Sequence, residues 1–270
     1  MRQYIASSMP DKNGQLTVSG KDFKYLCQVL RLSVGDVIQV RLPNQKLSNM
    51  EVFKLQSKQL ILKETFCDSE TTLVETGVNA SSLNEIKLPE IWLFQFLPKM
   101  QKMDLIIRQS TECGVTKIIP IISDFSSKDF SYKKDDFERT ARWERIVKEA
   151  RQQCGSPVAT RVLEPVSVEK AGKLWSDIDQ EKRAFILHED PEKGVSLLDG
   201  VFSENKILSK DVKKIALAVG CEGGFSSKEF DVLNQVGFLP LHFNTNVLRA
   251  ETAALYGLAV LQQSFEMFCK

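Results

Sequence analysis

Between residues 16 and 66 the apolar positions fall in short, partly alternating runs: "QLTV", "DVIQVRL", "EVFKL" and "QLILKETF", each bounded by Gly, Pro, Asn or Ser. Alternation sends every second side chain to one face of a strand, so these runs predict a small, mostly-β module. Among them "GKDFKYLCQVLRL" switches to helical spacing, with Phe23, Leu26, Cys27 and Leu30 on one face. The stretch "VETGVNASSLNEIK", Val74 to Lys87, is polar and rich in breakers. It reads as a linker, which gives a first domain over 1–73, a linker over 74–87 and a second domain over 88–270.

Beyond the linker the texture changes to strands alternating with helices. "EIWLFQFL" reads as a strand, and "MDLIIRQSTECG" as a helix stopped by Gly114 in the position after the C-cap. "KIIPIIS" is a further strand, in which Pro120 predicts an edge position or a bend. "DFERTARWERIVKEARQQCG" is a long helix closed by Gly155, and "RAFILHE" and "KIALAVG" are apolar runs of strand length with almost no alternation. Strands buried on both faces look like this, so the second domain is expected to be α/β, a parallel sheet covered by helices.

Composition narrows the chemistry. With 43% apolar and 26% charged residues the chain is that of an ordinary globular protein, and a net charge of +1 excludes a strongly basic nucleic-acid coat while allowing a local basic patch. The six cysteines are scattered without a C-x-x-C pair, and only His188 and His242 are histidines, so neither a disulfide scaffold nor a metal centre is expected. "RQYIASSMPD" has no apolar signal core and no run reaches the length of a membrane span, which predicts a cytoplasmic protein.

The most informative stretch is "IALAVGCEGGFSSKEF". Gly220, Gly223 and Gly224 have the wrong spacing for a dinucleotide fingerprint, and the G-K-[ST] of a P-loop is absent. Glycine lets a ligand approach the main chain, and Ser226 with Glu229 has the spacing of a capping box. A tight strand-to-helix turn with no ligand is the competing reading. A second junction follows in "LPLHFNTNVLRAETAALYGLAVLQQSF": a short strand, a polar loop, then a helix packed through Leu255, Leu258 and Ala259. Arg249, Glu251 and Thr252 stand at its start, where a solvated cap is the plain alternative. Two such junctions at neighbouring strand ends form the crevice in which open α/β sheets hold ligands.

These residues carry a resemblance. Gly220 to Ser226 is similar to a G-P-E-G-G-[FL]-S motif, and Val247 to Ala253 to an [IV]-L-R-x-E-T-A motif. "LPKMQKMDLIIRQSTECGVTKIIPI", "RWERIVKEARQQCG" and "VLRLSVGDVIQV" resemble three further elements of the same family, in order and with compatible spacing along nearly the whole chain. The family is the ribosomal RNA small subunit methyltransferase E family of the SPOUT superfamily. The resemblance implies a PUA-like β-barrel RNA-binding domain followed by a SPOUT-type knotted parallel sheet with helices on both faces. It also implies a homodimer that uses S-adenosyl-L-methionine to methylate N3 of a uridine in 16S rRNA of the small ribosomal subunit, without a metal.

By the same resemblance the cofactor would be held by Leu187, His188, Gly220, Cys221, Glu222, Gly223, Gly224, Phe243, Val247, Leu248, Arg249, Thr252 and Ala253. His188, ending a strand, could equally be a core or loop histidine. Methylating N3 requires loss of its proton, so a cation beside the uracil oxygens would stabilise the anion. Arg249 is the candidate, with Glu251 to orient it, cap the helix or act as base. For phosphate contact the candidates are Arg31, Lys99, Lys102, Arg142 and Arg145. The last two belong to a basic stripe on the long helix, from Arg139 to Arg151, whose interleaved glutamates equally fit a solvated face. Cys221 stands where the family usually has Pro, and Asn244 and Asn246 where it has Gly and Arg. These departures keep open a catalytically silent RNA-binding or ribosome-assembly protein, or a methyltransferase acting on another RNA base.

Overall fold

The computed structural model describes residues 3–65, 88–126, 136–190, 195–196 and 208–269; the linker expected at 74–87 lies outside the described residues. The chain divides into two compact units, Met1–Ser82 with Arg151–Pro157, and Leu83–Ala150 with Val158–Lys270.

The first unit is built on strands β1 (Gln3–Ile5), β2 (Gln15–Ser19), β3 (Val37–Arg41), β4 (Leu47–Leu55) and β5 (Gln59–Glu64), in the sheet order β1-β3-β4-β5-β2. β1 runs parallel to β3 and the other pairs are antiparallel, with a register shift between Val52 and Lys54 that bends β4. The alternation read in the sequence is met: Leu16, Val18, Val40, Met50, Val52, Leu60 and Leu62 share one core while their neighbours in sequence, apart from the buried Arg41, are less buried. Helix α1 (Gly20–Lys24) widens into a π-helical turn over Tyr25–Val29. Leu26 is fully buried there, and Phe23, Cys27 and Leu30 pack against the same core. The turn leaves through Arg31, an exposed residue at φ 56°.

The second unit is a sheet of β6 (Glu90–Phe96), β7 (Lys117–Ile121), β8 (Arg161–Val162), β9 (Lys182–Leu187), β10 (Val195–Ser196), β11 (Lys214–Val219) and β12 (Phe238–His242), in the order β10-β12-β9-β11-β6-β7-β8. Every pairing is parallel. Helices α2 (Met100–Glu112), α3 (Asp136–Cys154) and α6 (Ala250–Cys269) cover one face, while α4 (Val168–Ser176) and α5 (Ser227–Gln235) cover the other. The strands lack polar alternation because successive side chains enter two different cores. On β6, Ile91 and Leu93 join the α2–α3–α6 side, and Trp92, Phe94 and Phe96 join the α4–α5 side. On the latter side Phe94, Trp175 and Phe238 meet edge-on or tilted, with ring centroids 5.0 to 6.1 Å apart.

Pro120 is placed one strand in from the edge. β7 pairs along its length with β6, but β8 reaches only Lys117 and Ile118, so the missing N–H at Pro120 interrupts no ladder bond on that side. The Pro120 carbonyl instead accepts from Val166 at 3.0 Å. Gly114 and Gly155, expected to end helices, do so at φ 75° and 77°. Strands β1, β8 and β10 and helix α4 have no counterpart among the sequence expectations. The strands are three, two and two residues long. Helix α4 starts at Ser167, whose side chain accepts from the Lys170 N–H.

Candidate functional site

The order β12-β9-β11 brings three carboxyl-terminal strand ends side by side. Each opens into a turn, and the turns line a cleft of about 510 Å³. β9 contributes Leu187 to Asp190, β11 Val219 to Phe225, and β12 the segment from His242 to Ala253 apart from Asn244, Glu251 and Thr252, with Lys102 of α2 closing the side. The sequence had suggested two adjoining junctions; β9 stands between them and adds a third.

The turn after β11 is fixed by geometry rather than by side chains. The Gly224 N–H donates to the Cys221 carbonyl at 3.0 Å, closing a four-residue turn. A Cβ on Gly220 would lie 2.9 Å from the Gly224 backbone, and Gly224 itself sits at φ 72°. Gly220 admits no other residue without moving the main chain, and a side chain at Gly224 would be held in the strained left-handed region. Gln95, fully buried on β6, lies beneath: its Nε2 is 3.3 Å from the carbonyl oxygens of Val219 and Gly220. The Cys221 side chain is buried, with Sγ 3.7 Å from the Gly224 carbonyl. A thiol at this position is therefore compatible with the closed turn. Both halves of the capping box between Ser226 and Glu229 are formed, and they start α5. The buried Glu229 carboxylate also accepts from the Asp124 N–H at 2.8 Å.

Lys102 links this turn to the start of α6. Its ammonium lies 3.1 Å from Glu222 and 3.5 Å from Glu251. The backbone N–H of Lys99 donates to the same Glu222 carboxylate at 3.3 Å. Partial burial alone would lower the Lys102 pKa, but the hydrogen bonds and charges of Glu222 and Glu251 outweigh it and hold the ammonium above the usual lysine range. For Glu222 burial acts upward, yet backbone hydrogen bonds and Lys102 prevail and keep the carboxylate below its ordinary value. The cluster therefore carries one cation between two anions. The cleft lining adds Glu189, Asp190 and Arg249.

The remaining expected residues separate into groups. Leu187, His188, Gly220, Cys221, Glu222, Gly223, Gly224, Phe243, Val247, Leu248, Arg249 and Ala253 all line the cleft. Thr252, in the first turn of α6, is outside the lining. The His188 Nδ1 accepts from the Asp190 N–H at 3.0 Å, so a neutral ring carries its proton on Nε2. Arg249 is exposed at the mouth, while the Glu251 side chain is only 16% exposed. Of the residues expected on phosphate, Lys102 is drawn into the cleft, Lys99 is exposed beside it and Arg31 is exposed in the first unit. Arg142 pairs with Asp104, and the exposed Arg145 lies 3.7 Å from Glu149. Arg139 and Arg151 of the same stripe are buried, so the stripe is not a continuous basic surface. The lining also includes His242, which was not expected there, with Thr245 and Asn246 of the loop that follows it. The first of these had a signal, since His242 ends a strand as His188 does.

Comparison with known proteins agrees with this geometry. A family profile for an RNA methyltransferase domain matches residues 84–262, and one for an RNA methyltransferase PUA domain matches residues 18–65. Ribosomal RNA small subunit methyltransferase E of Buchnera aphidicola (subsp. Acyrthosiphon pisum) is 27% identical over 270 residues, covering 99% of this chain and 94% of that protein. The protein of the same name from Aquifex aeolicus is 32% identical over 180 residues, 66% of this chain and 71% of its own length. The crystal structure of the Neisseria gonorrhoeae protein of that name, bound to S-adenosyl methionine, superposes with a TM-score of 0.74 at 22% identity, covering 97% of each chain. By its methyltransferase domain, its PUA domain and these relatives, the chain belongs to the RNA methyltransferase family of ribosomal RNA small subunit methyltransferase E.

Proposed function

We propose that this protein methylates N3 of a uridine in 16S rRNA of the small ribosomal subunit, using S-adenosyl-L-methionine held in the cleft at the ends of β9, β11 and β12. The observation that carries the reading is the glycine turn from Gly220 to Gly224, tied through Glu222 and Lys102 to the start of α6. Glycine there lets a ligand approach the main chain closely. The acidic lining of Glu189, Asp190 and Glu222 suits a cationic donor.

When bound, the cofactor supplies a methyl group made electrophilic by its sulfonium. The chain's own residues must then hold the uracil and manage its charge. N3 gains a bond to carbon as its proton leaves, so the base passes through anionic character. Arg249, exposed at the cleft mouth, is the cation positioned to stabilise that charge on the uracil oxygens. Glu251, held 3.5 Å from Lys102, fixes the first turn of the helix that begins next to Arg249. The reading also comprises a trefoil-knotted chain, a homodimer and a cytoplasmic location.

The test is mass spectrometry of 16S rRNA from cells with and without the gene. A uridine that loses its N3 methyl group in the deletion carries the reading; an unchanged rRNA overturns it. In the purified enzyme Arg249→Ala is expected to lower turnover by about 10²–10³ with little change in cofactor affinity.

A further inference from the structure

We infer that Phe125 is a stacking platform for a nucleobase of the RNA substrate, set beside the cleft. The inference rests on the proposed methyl transfer, which takes place on a base edge that is occupied in paired RNA. A base extruded for that chemistry loses the π faces of its neighbours, and an aromatic side chain can replace one of them.

Phe125 follows β7 and is 52% exposed. A single exposed apolar residue is ordinary; this one is distinguished by where it is and how firmly it is held. It lies against the cleft turn itself: a Cβ built on Gly223 would be 3.0 Å from the Phe125 Cβ and 3.2 to 3.3 Å from its ring atoms. Gly223 also lines the cleft. Glycine at this position thus lets the aromatic residue approach the turn that would hold the methyl donor.

The short loop that presents the ring is cross-braced. The Phe125 N–H donates to Ser123 Oγ at 3.1 Å, and the Ser123 N–H to Ser126 Oγ at 2.9 Å. Ser126 Oγ in turn donates to the Leu97 carbonyl at 3.3 Å. On the other side Asp124 is bound twice to the capping box of α5, its N–H donating to Glu229 at 2.8 Å and its carboxylate accepting from Ser226 Oγ at 2.8 Å. The same α5 cap that fixes the exit of the glycine turn therefore fixes the backbone of Phe125. A ring already ordered loses little conformational freedom when a flat base is laid on it.

The experiment measures RNA KM, cofactor affinity and fluorescence on the full-length protein. Phe125→Ala is expected to raise the KM for the RNA substrate on the order of tenfold or more, the range for loss of one base stack. S-adenosylmethionine affinity by calorimetry stays at the wild-type value. Phe125→Tyr restores the KM and Phe125→Leu does not, because stacking requires a π face whereas packing requires only apolar bulk. A wild-type KM in the Ala variant, or a Leu variant as good as Tyr, overturns the inference. Phe125→Trp adds a readout independent of turnover: Trp92, Trp143 and Trp175 are at most 6% exposed, so the new indole dominates the response to added RNA. Quenching on binding supports stacking, and an unchanged signal at saturating RNA refutes it. An inactive wild-type protein would sink the proposed function, while an active one indifferent to residue 125 would sink this inference alone.

Discussion

Lys102 shows what a single side chain contributes to the site and why the sequence concealed it. A lysine near the start of a helix reads as a surface cation, and phosphate was its natural partner. Its ammonium instead lies between Glu222 and Glu251, respectively 120 and 149 positions further along the chain, and no local pattern announces contacts of that span. Gln95 was missed for the same reason, since its role is to hold carbonyls of the glycine turn from an adjacent strand. The glycines and the capping box were legible because each answers a backbone requirement within a few residues. Lys102→Met would leave two half-buried carboxylates facing each other without a counter-ion. Isothermal calorimetry should show cofactor affinity reduced about tenfold or more, the scale of a charge-assisted hydrogen bond. An affinity unchanged within twofold would show that the ion pairs do not organise the turn.

At the scale of elements, long apolar strands and long helices could be read because each repeats one signal many times. The β6 run "IWLFQF" is apolar at almost every position, and the structure explains it by two cores that take alternate side chains. Helix α4 escaped because its nine residues include Gly172 and three charged side chains, which weakens the periodicity. α6 has a glycine of its own with a direct bearing on the cleft. A Cβ on Gly257 would come within 2.7 Å of the Leu187 side chain and 2.8 Å of Leu217. Gly257→Ala gains about 1 kcal/mol of helix propensity against a cost of about 1–3 kcal/mol for overpacking. The expected net result is a modestly lowered Tm. A clearer loss is expected in cofactor binding, because the Leu187 side chain that must give way lines the cleft. Thermal denaturation and calorimetry on the one variant measure both effects; a raised Tm with intact binding would show that the leucines adapt freely.

For the whole molecule, the change of texture along the chain was legible because period-2 and helical patterns differ over tens of residues, whereas nothing local assigns Arg151–Pro157 to the first compact unit. Sheet order was beyond reach: nothing local states that the strand ending at Val219 belongs between the strands ending at Phe96 and Leu187. The proposed homodimer is a prediction at this scale. Light scattering at micromolar protein should return twice the 30.6 kDa of one chain, and a monomer would contradict it. The position of β11 has a further consequence, for the time during which the protein is being made. The strand is formed by residues 214–219 yet stands at the middle of the sheet, so a nascent chain stopped before it has β6 and β9 with no bridge between them. Such a fragment exposes two apolar strand edges and forms none of the sheet's central ladder. Closure must wait until more than three quarters of the 270 residues have emerged. The central pairing of this sheet is therefore among the last long-range contacts the growing chain can make.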